Sequence, residues 1–211
     1  MKRELRRWLG TDSSDRPAVE ILPFAGAFPS VCNAKNSCRE GVKWDFVYVA
    51  DGVAHKNHRN LVAAWQLLSQ NGFTPSLALT LGARDEPLAM EIMEIARTSN
   101  LRIHNVGQLS YADVFDLYRN SRALIFPSTT ESFGLPLVEA ASTGLPIIAG
   151  ELDFVRDVCD PVETFDPSSP NSIARAALRF LGGSEARIPV RSPHEFWDNL
   201  IDGNATRFDE S

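Results

Sequence analysis

From residue 45 onward, short apolar runs alternate with longer segments of helical periodicity. The run "DFVYVA" at 45–50 precedes "HRNLVAAWQLLSQ" at 58–70, in which Leu61, Trp65 and Leu68 recur at helical spacing. Runs of this length, rich in β-branched and aromatic side chains, predict buried strands. Strands that alternate with helices of about ten residues predict βαβ units, which form a parallel sheet with helices on both faces.

The same alternation continues to residue 182 and defines the main domain. The further predicted strands are "SLALTLG", "LRIHNVG", "ALIFPS" and "PIIAG", and the further predicted helices are "EPLAMEIMEIARTS", "YADVFDLYRNS", "GLPLVEAAST", "LDFVRDVC" and "PNSIARAALRFLGG". Ser110 and Asp113 have the spacing of a helix N-terminal cap. We therefore predict a Rossmann-like doubly wound α/β domain over residues 45–182. An N-terminal helix, strand and connector at 1–44 precede it, and a loop, helix and tail at 183–211 follow.

Charge and cysteine content exclude several classes of function. The formal net charge of −6 argues against a broad nucleic-acid-binding surface. No apolar run approaches the roughly 18 residues of a membrane span, and no apolar signal region follows the basic N-terminus. The cysteines Cys32, Cys38 and Cys159 are odd in number and have no histidine at zinc-site spacing. We predict a reduced, cytoplasmic protein, with a Cys32–Cys38 disulfide as the minor alternative.

The basic segment "MKRELRRWLG" at 1–10 allows two interpretations. Its cations, together with Leu5 and Trp8, suit a helix at the inner face of a membrane. A helix packed on the domain is the simpler interpretation, because ten residues are few for membrane binding.

The segment "PSTTESFGLPLVEAASTGLPIIAG" at 127–150 carries the strongest indication of a binding site. Ligands of open α/β sheets bind outside the carboxyl ends of the strands. A helix that begins near Gly134 directs backbone N–H groups of its first turn outward and suits a phosphate. Glu131 and Glu139 flank this turn and suit hydroxyl groups on either side of the phosphate, as in a nucleoside diphosphate sugar. In the alternative, both acids merely complement the helix dipole.

Three sequence elements in order resemble one known family. "FVYVADGVAHKNHRNLVAAW" resembles its strand–loop–helix with a Lys-Asn or Lys-Gly pair, and "VGQLSYADVFDLYRNSRALIFPS" resembles its Tyr-containing helix and Pro-Ser strand end. "ESFGLPLVEAASTGLPIIAG" resembles its E-x7-E element. Residues 42–182 thus resemble the C-terminal, donor-binding half of retaining GT-B glycosyltransferases of the group-one type (family four).

The resemblance implies a role for each matching position. Lys56 would stabilise the diphosphate leaving group, and Glu131 would contact the donor sugar. Glu139 would bind the ribose hydroxyls. The remaining implied donor-binding positions, which contact the diphosphate, sugar or base, are Phe133, Gly134, Leu135, Val106 and Asp51. The resemblance implies no metal and no cofactor beyond the nucleotide-sugar donor.

Two departures from the family pattern bear on activity. Ala50-Asp51 stands where the family commonly has Gly-Arg, so an acid replaces a cation that would contact the diphosphate. The family's N-terminal acceptor domain has no counterpart in the 211 residues, so a partner chain or a homo-oligomer would supply it.

The sequence therefore predicts the donor-binding domain of a retaining hexosyltransferase that uses a UDP-, GDP- or ADP-linked sugar for polysaccharide or glycolipid synthesis. The alternatives are a non-catalytic nucleotide-sugar or protein-binding module and, third, a nucleotide-sugar epimerase. Among the histidines, His55 and His58 are expected in a solvated or phosphate-facing loop rather than in a metal site. His104, within an apolar strand, is expected in the core.

Overall fold

A six-stranded, all-parallel sheet organises residues 42–183, the part of the chain that the computed structural model describes. The strand order is β3-β2-β1-β4-β5-β6. The strands are β1 (Trp44–Tyr48), β2 (Leu77–Leu79), β3 (Ile103–Asn105), β4 (Ser121–Phe126), β5 (Ile147–Gly150) and β6 (Glu163–Phe165). The predicted Rossmann-like α/β fold is confirmed.

The helices follow the predicted segments closely. They are α1 (His58–Gln70), α2 (Glu86–Thr98), α3 (Tyr111–Arg119), α4 (Leu135–Ser142), α5 (Asp153–Arg156) and α6 (Pro170–Phe180), with 3-10 turns at Ala54–Lys56 and Ala83–Asp85. Ser110 caps α3, since its hydroxyl accepts a 3.3 Å hydrogen bond from the Asp113 N–H. The predicted N-terminal cap is therefore confirmed.

The two central strands, β1 and β4, form the middle of the core. Phe46, Tyr48, Leu124 and Phe126 are completely buried in them. Helices α1 and α6 pack against each other, and α3 packs against α4. Strands that are covered on both faces need apolar residues at consecutive positions, which explains the uninterrupted apolar runs.

The strand order reverses at the junction of β1 and β4, and this reversal positions the candidate site. Strands β2 and β3 lie on one side of β1, whereas β4, β5 and β6 lie on the other. In open α/β sheets such a reversal places a ligand-binding crevice at the carboxyl edge, here between β1 and β4.

Two details differ from the sequence predictions. Strand β6 was not predicted, because "ETF" contains a single apolar residue, Phe165; within residues 42–183 it is an edge strand that pairs with β5. The prediction of a core position for His104 is wrong. It is exposed on the edge strand β3, where its ring centroid lies 5.1 Å from that of Trp44.

The terminal predictions lie outside the described residues. These are the basic N-terminal helix, the strand "AVEILPF", the connector with Cys32 and Cys38, and the last helix. The proposed boundaries at 1–44, 45–182 and 183–211 thus remain predictions. Between residues 42 and 183, no helix is both long and apolar enough to cross a membrane.

Candidate functional site

Lys56 and Glu131 meet at the crevice between β1 and β4. Lys56 ends the 3-10 turn after β1, and Glu131 lies in the loop after β4. The Lys56 Nζ donates to Glu131 Oε1 at 2.6 Å, and the two side chains are only 15% and 9% exposed. The structure thus brings together the two residues predicted to be catalytic, in a partly desolvated ion pair. The second oxygen of Glu131 keeps its capacity to accept a hydrogen bond from a ligand.

Backbone and hydroxyl contacts fasten these two loops together. The buried Tyr48 hydroxyl donates to the Lys56 carbonyl at 2.8 Å and lies 2.9 Å from the Ser128 hydroxyl. On the same side, the Thr129 N–H donates to the His55 carbonyl at 2.9 Å. Burial raises the pKa of Tyr48 well above its usual range, so its hydroxyl remains a proton donor. These contacts fix the backbone at Lys56 and so limit where its side chain can reach.

Asn57 completes the turn that presents Lys56. Its backbone is left-handed, with φ of 62°, a conformation that glycine and asparagine tolerate best. Its side-chain amide donates to the carbonyls of Pro127 at 3.1 Å and Pro167 at 2.7 Å. Asn57 therefore links the loops that follow three strands, β1, β4 and β6. This geometry gives a physical reason for a Lys-Asn or Lys-Gly pair at this place.

The start of α4 has the features of a phosphate-binding turn. Gly134 precedes the helix with φ of 70°, and no side chain in the described range caps it. A Cβ at Gly134 would lie 3.0 Å from Leu137 Cδ1, so the site favours glycine for both space and conformation. The first N–H groups of a helix have no partner within it and carry the positive end of its dipole. Pro136 has no N–H and the Leu137 N–H donates to the Gly134 carbonyl at 2.9 Å, so the first-turn group left for an anion is the Leu135 N–H, with those of Phe133 and Gly134 directly before it.

Glu139 lies one turn into α4 and has a neutral partner. The Tyr118 hydroxyl on α3 donates to Glu139 Oε2 at 3.2 Å. Burial raises the pKa of Glu139, and the hydrogen bond from Tyr118 opposes that rise. The pKa of Tyr118 is raised well above its usual range by burial and by Glu139, so the phenol stays protonated. The pair presents a half-buried carboxylate that forms no ion pair with a cation in the described part of the chain.

The other predicted donor-binding residues make their hydrogen bonds outside these two pairs. Val106 follows β3, where its N–H donates to the Leu79 carbonyl at 2.8 Å. Asp51 follows β1 and is exposed, with its Oδ1 3.5 Å from the Val53 N–H. Arg59, a cation shortly after Asp51 in the sequence, forms a two-pronged ion pair with Glu91 on α2, at 2.9 and 2.7 Å.

His58 does not lie in a solvated or phosphate-facing loop, and that expectation is wrong. It is the first residue of α1, only 3% exposed, with its ring centroid 4.9 Å from that of Tyr48. Neither ring nitrogen has a hydrogen-bond partner among the residues that the structure describes, and burial lowers its pKa to about 4. His58 is thus a neutral packing residue behind Lys56.

Over residues 42–183, no cluster of three or more candidate ligands is arranged to hold a metal ion.

The roles of three residues of this site, Tyr48, Asn57 and Tyr118, were not predicted from the sequence. Tyr48 and Tyr118 lie within apolar runs, which predict core residues. The neighbouring sequence does not identify the groups with which their hydroxyls form hydrogen bonds. Asn57 did carry a signal, because asparagine directly before a helix suits a left-handed residue.

The chain belongs to the glycosyl transferases group 1 family, whose model matches residues 34–189. It is 28% identical over 155 residues to the serotype-specific mannosyltransferase WbdA of Escherichia coli, a match that covers 72% of this chain and 19% of WbdA. It is 28% identical to the O-antigen chain mannosyltransferase B of Escherichia coli, over 64% of this chain and 36% of that protein. The chain thus spans much less than half the length of these relatives. The expected family is confirmed.

Solved structures of glycosyltransferases share the fold. The pneumococcal O-GlcNAc transferase GtfA, in complex with UDP and GlcNAc, matches 85% of this chain and 35% of its own, with a TM-score of 0.59 and 17% identity. Sucrose-phosphate synthase from Thermosynechococcus elongatus matches 66% of this chain and 37% of its own, with a TM-score of 0.58 and 24% identity. The match to about a third of each chain fits the expectation of one domain of a GT-B architecture.

Proposed function

We propose that the crevice between β1 and β4 binds the nucleotide-sugar donor of a retaining glycosyltransferase. The observation that carries this proposal is the Lys56–Glu131 ion pair at 2.6 Å, beside the left-handed Gly134 turn and the Glu139 carboxylate. A cation, an anion-binding helix start and two hydroxyl-accepting acids match the parts of a nucleoside diphosphate sugar.

Each group has a separate task in this proposal. The N–H groups around Phe133, Gly134 and Leu135 bind the diphosphate, and Lys56 stabilises the negative charge that develops on it. Glu131 directs one oxygen to Lys56 and the other to a hydroxyl of the donor sugar. Glu139 accepts hydrogen bonds from the ribose, and the backbone at Val106 lines the base.

The reaction is the transfer of a hexose with retention of its anomeric configuration. The bond from the sugar C1 to the diphosphate breaks, an acceptor hydroxyl oxygen bonds to C1, and its proton is lost to solvent. In this proposal Lys56 and the helix N–H groups, rather than a metal, stabilise the negative charge of the departing diphosphate. Because WbdA and mannosyltransferase B are named as mannosyltransferases, a mannose donor for polysaccharide or glycolipid assembly is the first to test.

The acceptor is bound by a further domain, on the same polypeptide or on a partner subunit. We place the reaction in the cytoplasm, with the basic segment 1–10 as a candidate contact to the inner face of the membrane. The length of WbdA supports the proposal of a further domain, because the matched part makes up only 19% of that protein.

A non-catalytic nucleotide-sugar-binding module is the second candidate. It is favoured by Asp51, whose exposed carboxylate occupies the loop where the resemblance expects an arginine on the diphosphate. A binder needs Glu139 and the Gly134 turn, whereas a catalyst also needs Lys56 to act on the leaving group.

Calorimetric titration tests donor binding directly. UDP, GDP, ADP and their linked hexoses are titrated into the 211-residue chain. We expect one nucleotide to bind at micromolar to millimolar concentration. Failure of all three nucleotides at millimolar concentration would contradict the proposal.

A donor-hydrolysis or transfer assay then separates the two candidates. The chain is assayed with the best-binding sugar nucleotide, alone and together with a candidate acceptor-domain protein. Release of the nucleoside diphosphate that depends on Lys56 supports the enzyme, and binding without release under every condition supports the module.

A further inference from the structure

A buried phenol is directed at the carboxylate that the proposed function assigns to the ribose. Tyr118 lies on α3, Glu139 lies on α4, and their side chains meet at 3.2 Å. We propose that Tyr118 is a positioning residue, whose hydroxyl fixes one oxygen of Glu139 so that the carboxylate faces the two ribose hydroxyls of the bound nucleotide. This inference rests on the proposed function and adds to it a determinant of ribose recognition.

The tyrosine ring is well suited to orient its partner. Tyr118 is completely buried, and its ring makes an edge-on contact with Phe115, with the centroids 6.1 Å apart. Phe115 is itself in edge contact with Tyr111, at 4.9 Å. Because the buried ring is held by this packing, its hydroxyl is presented to Glu139 Oε2 at 3.2 Å.

The chemistry of the pair leaves acceptor capacity for a ligand. An ionised carboxylate offers about four lone-pair positions, and a tyrosine occupies one of them. Since tyrosine is neutral, Glu139 keeps its negative charge and accepts strong hydrogen bonds from further hydroxyls. Two adjacent hydroxyls, as on C2 and C3 of ribose, fit the remaining positions. We therefore expect a preference for ribonucleotides over their deoxy analogues that depends on Tyr118.

The test compares Tyr118→Phe with the wild-type chain on two ligands. The ligands are whichever of UDP, GDP and ADP binds the wild type most tightly, and the 2′,3′-dideoxy form of the same nucleotide. Loss of one hydrogen bond to a charged group should lower the affinity for the ribonucleotide about tenfold. The affinity for the dideoxy nucleotide should stay within about twofold. Equal weakening of both ligands would show a structural role and overturn the inference.

Tyr111→Phe is the matched control, because it removes a hydroxyl from the same helix at a position that is 62% exposed. We expect both affinities of this variant to equal those of the wild type. Thermal unfolding of each variant reports separately on stability.

A second measurement does not require a nucleotide. Carboxyl-carbon NMR titration follows Glu139 in the wild type and in Tyr118→Phe. Because Tyr118 opposes the effect of burial, its loss should raise the pKa of Glu139 further. An unchanged pKa would overturn the contact itself. If no nucleotide binds the wild type, the proposed function and the ribose role fail together, and the titration alone decides whether Tyr118 orients Glu139.

Discussion

The two sides of the crevice hold their charged groups in different ways. On the Lys56 side, which comprises the loop 49–57 and Glu131, a cation is paired with a carboxylate at 2.6 Å and is fixed through its backbone by Tyr48. On the Glu139 side, which comprises residues 133–139 and Tyr118, a half-buried carboxylate accepts a hydrogen bond from a neutral phenol, and no ion pair to it is seen within residues 42–183.

This difference indicates a division of labour. A charge that is already paired inside the protein gains little from ground-state binding of a ligand, but it is well placed to respond when new charge develops. A charge with a neutral partner retains its full attraction for ligand hydroxyls. We therefore expect the Lys56 side to govern the rate of transfer and the Glu139 side to govern nucleotide affinity.

Lys56→Ala should have the largest effect of all the substitutions, and the property affected should be the rate of donor hydrolysis or transfer. Removal of a preorganised charge beside the leaving group typically costs about a hundredfold to a thousandfold. We expect a loss of that size in donor hydrolysis or transfer, with a much smaller change in nucleotide affinity. Lys43→Ala, which changes an exposed lysine before β1, is the control. If Lys56→Ala retains more than a tenth of the wild-type rate, the proposed division between a rate-controlling side and an affinity-controlling side is contradicted.

Glu139→Ala should have the largest effect on binding. The loss of two hydrogen bonds to a charged group predicts an affinity about a hundredfold lower for the best nucleoside diphosphate, measured by calorimetry. Glu91→Ala, which removes an exposed acid on α2, should leave the affinity unchanged. Similar affinities for Glu139→Ala and the wild type would disprove the assignment of this side to the ribose.

Substitutions of Asn57 probe how the Lys56 side is held in place. Asn57→Ala loses both side-chain hydrogen bonds and strains a left-handed residue, which predicts a free energy of unfolding lower by about 2–4 kcal/mol. Asn57→Gly loses the hydrogen bonds but not the backbone conformation, so it should cost about 1–2 kcal/mol. Urea denaturation measures both values, and an equal loss in the two variants would contradict the role of backbone conformation.

The pH dependence of stability tests the state of Glu139. Burial raises its folded-state pKa above the ordinary value of 4.5, so the folded protein binds this proton more tightly than the unfolded chain. The contribution of Glu139 to stability is therefore greatest below pH 4.5 and is lost as the pH rises through the folded-state pKa.

Glu139→Gln should accordingly raise the Tm at pH 7 by about 1–3 °C, with the difference closing towards pH 4. Calorimetric melting at both pH values provides the measurement. A lower Tm for Glu139→Gln at pH 7 would show that the charge stabilises the fold and would contradict this account.

Asp51→Arg should have the smallest effect, and it should increase nucleotide affinity rather than decrease it. An added cation next to the diphosphate should tighten nucleotide binding about threefold to tenfold at low salt, since Asp51 is exposed and the gain is screened. The gain should decrease as salt is added. Weaker binding by Asp51→Arg would show that this loop does not face the diphosphate.

Local periodicity was sufficient to predict most of the helices. Helix α1 begins at His58 and ends at Gln70, as its apolar spacing predicts, and Ser110 caps α3 as expected. Strand β6 has no such local signal, because its three residues become a strand only through pairing with β5. The same limit applies to His104, since sequence alone does not show that β3 is an edge strand with an exposed face.

The residues of the site were predicted more readily than their contacts. A family resemblance indicated Lys56, Glu131 and Glu139, but Lys56 and Glu131 are 75 positions apart and meet only because β1 and β4 are neighbours in the sheet. The contact between Tyr118 and Glu139 likewise depends on how two helices pack. These pairings are tertiary, so they required the structure.

The most direct test of the central claim is a crystal structure of the chain soaked with the nucleoside diphosphate that binds it most tightly. The account predicts the diphosphate on the N–H groups around Gly134 and beside Lys56, with the ribose hydroxyls on Glu139 and Tyr118 still bonded to that carboxylate. A nucleotide bound elsewhere, or with its ribose directed away from Glu139, would contradict it.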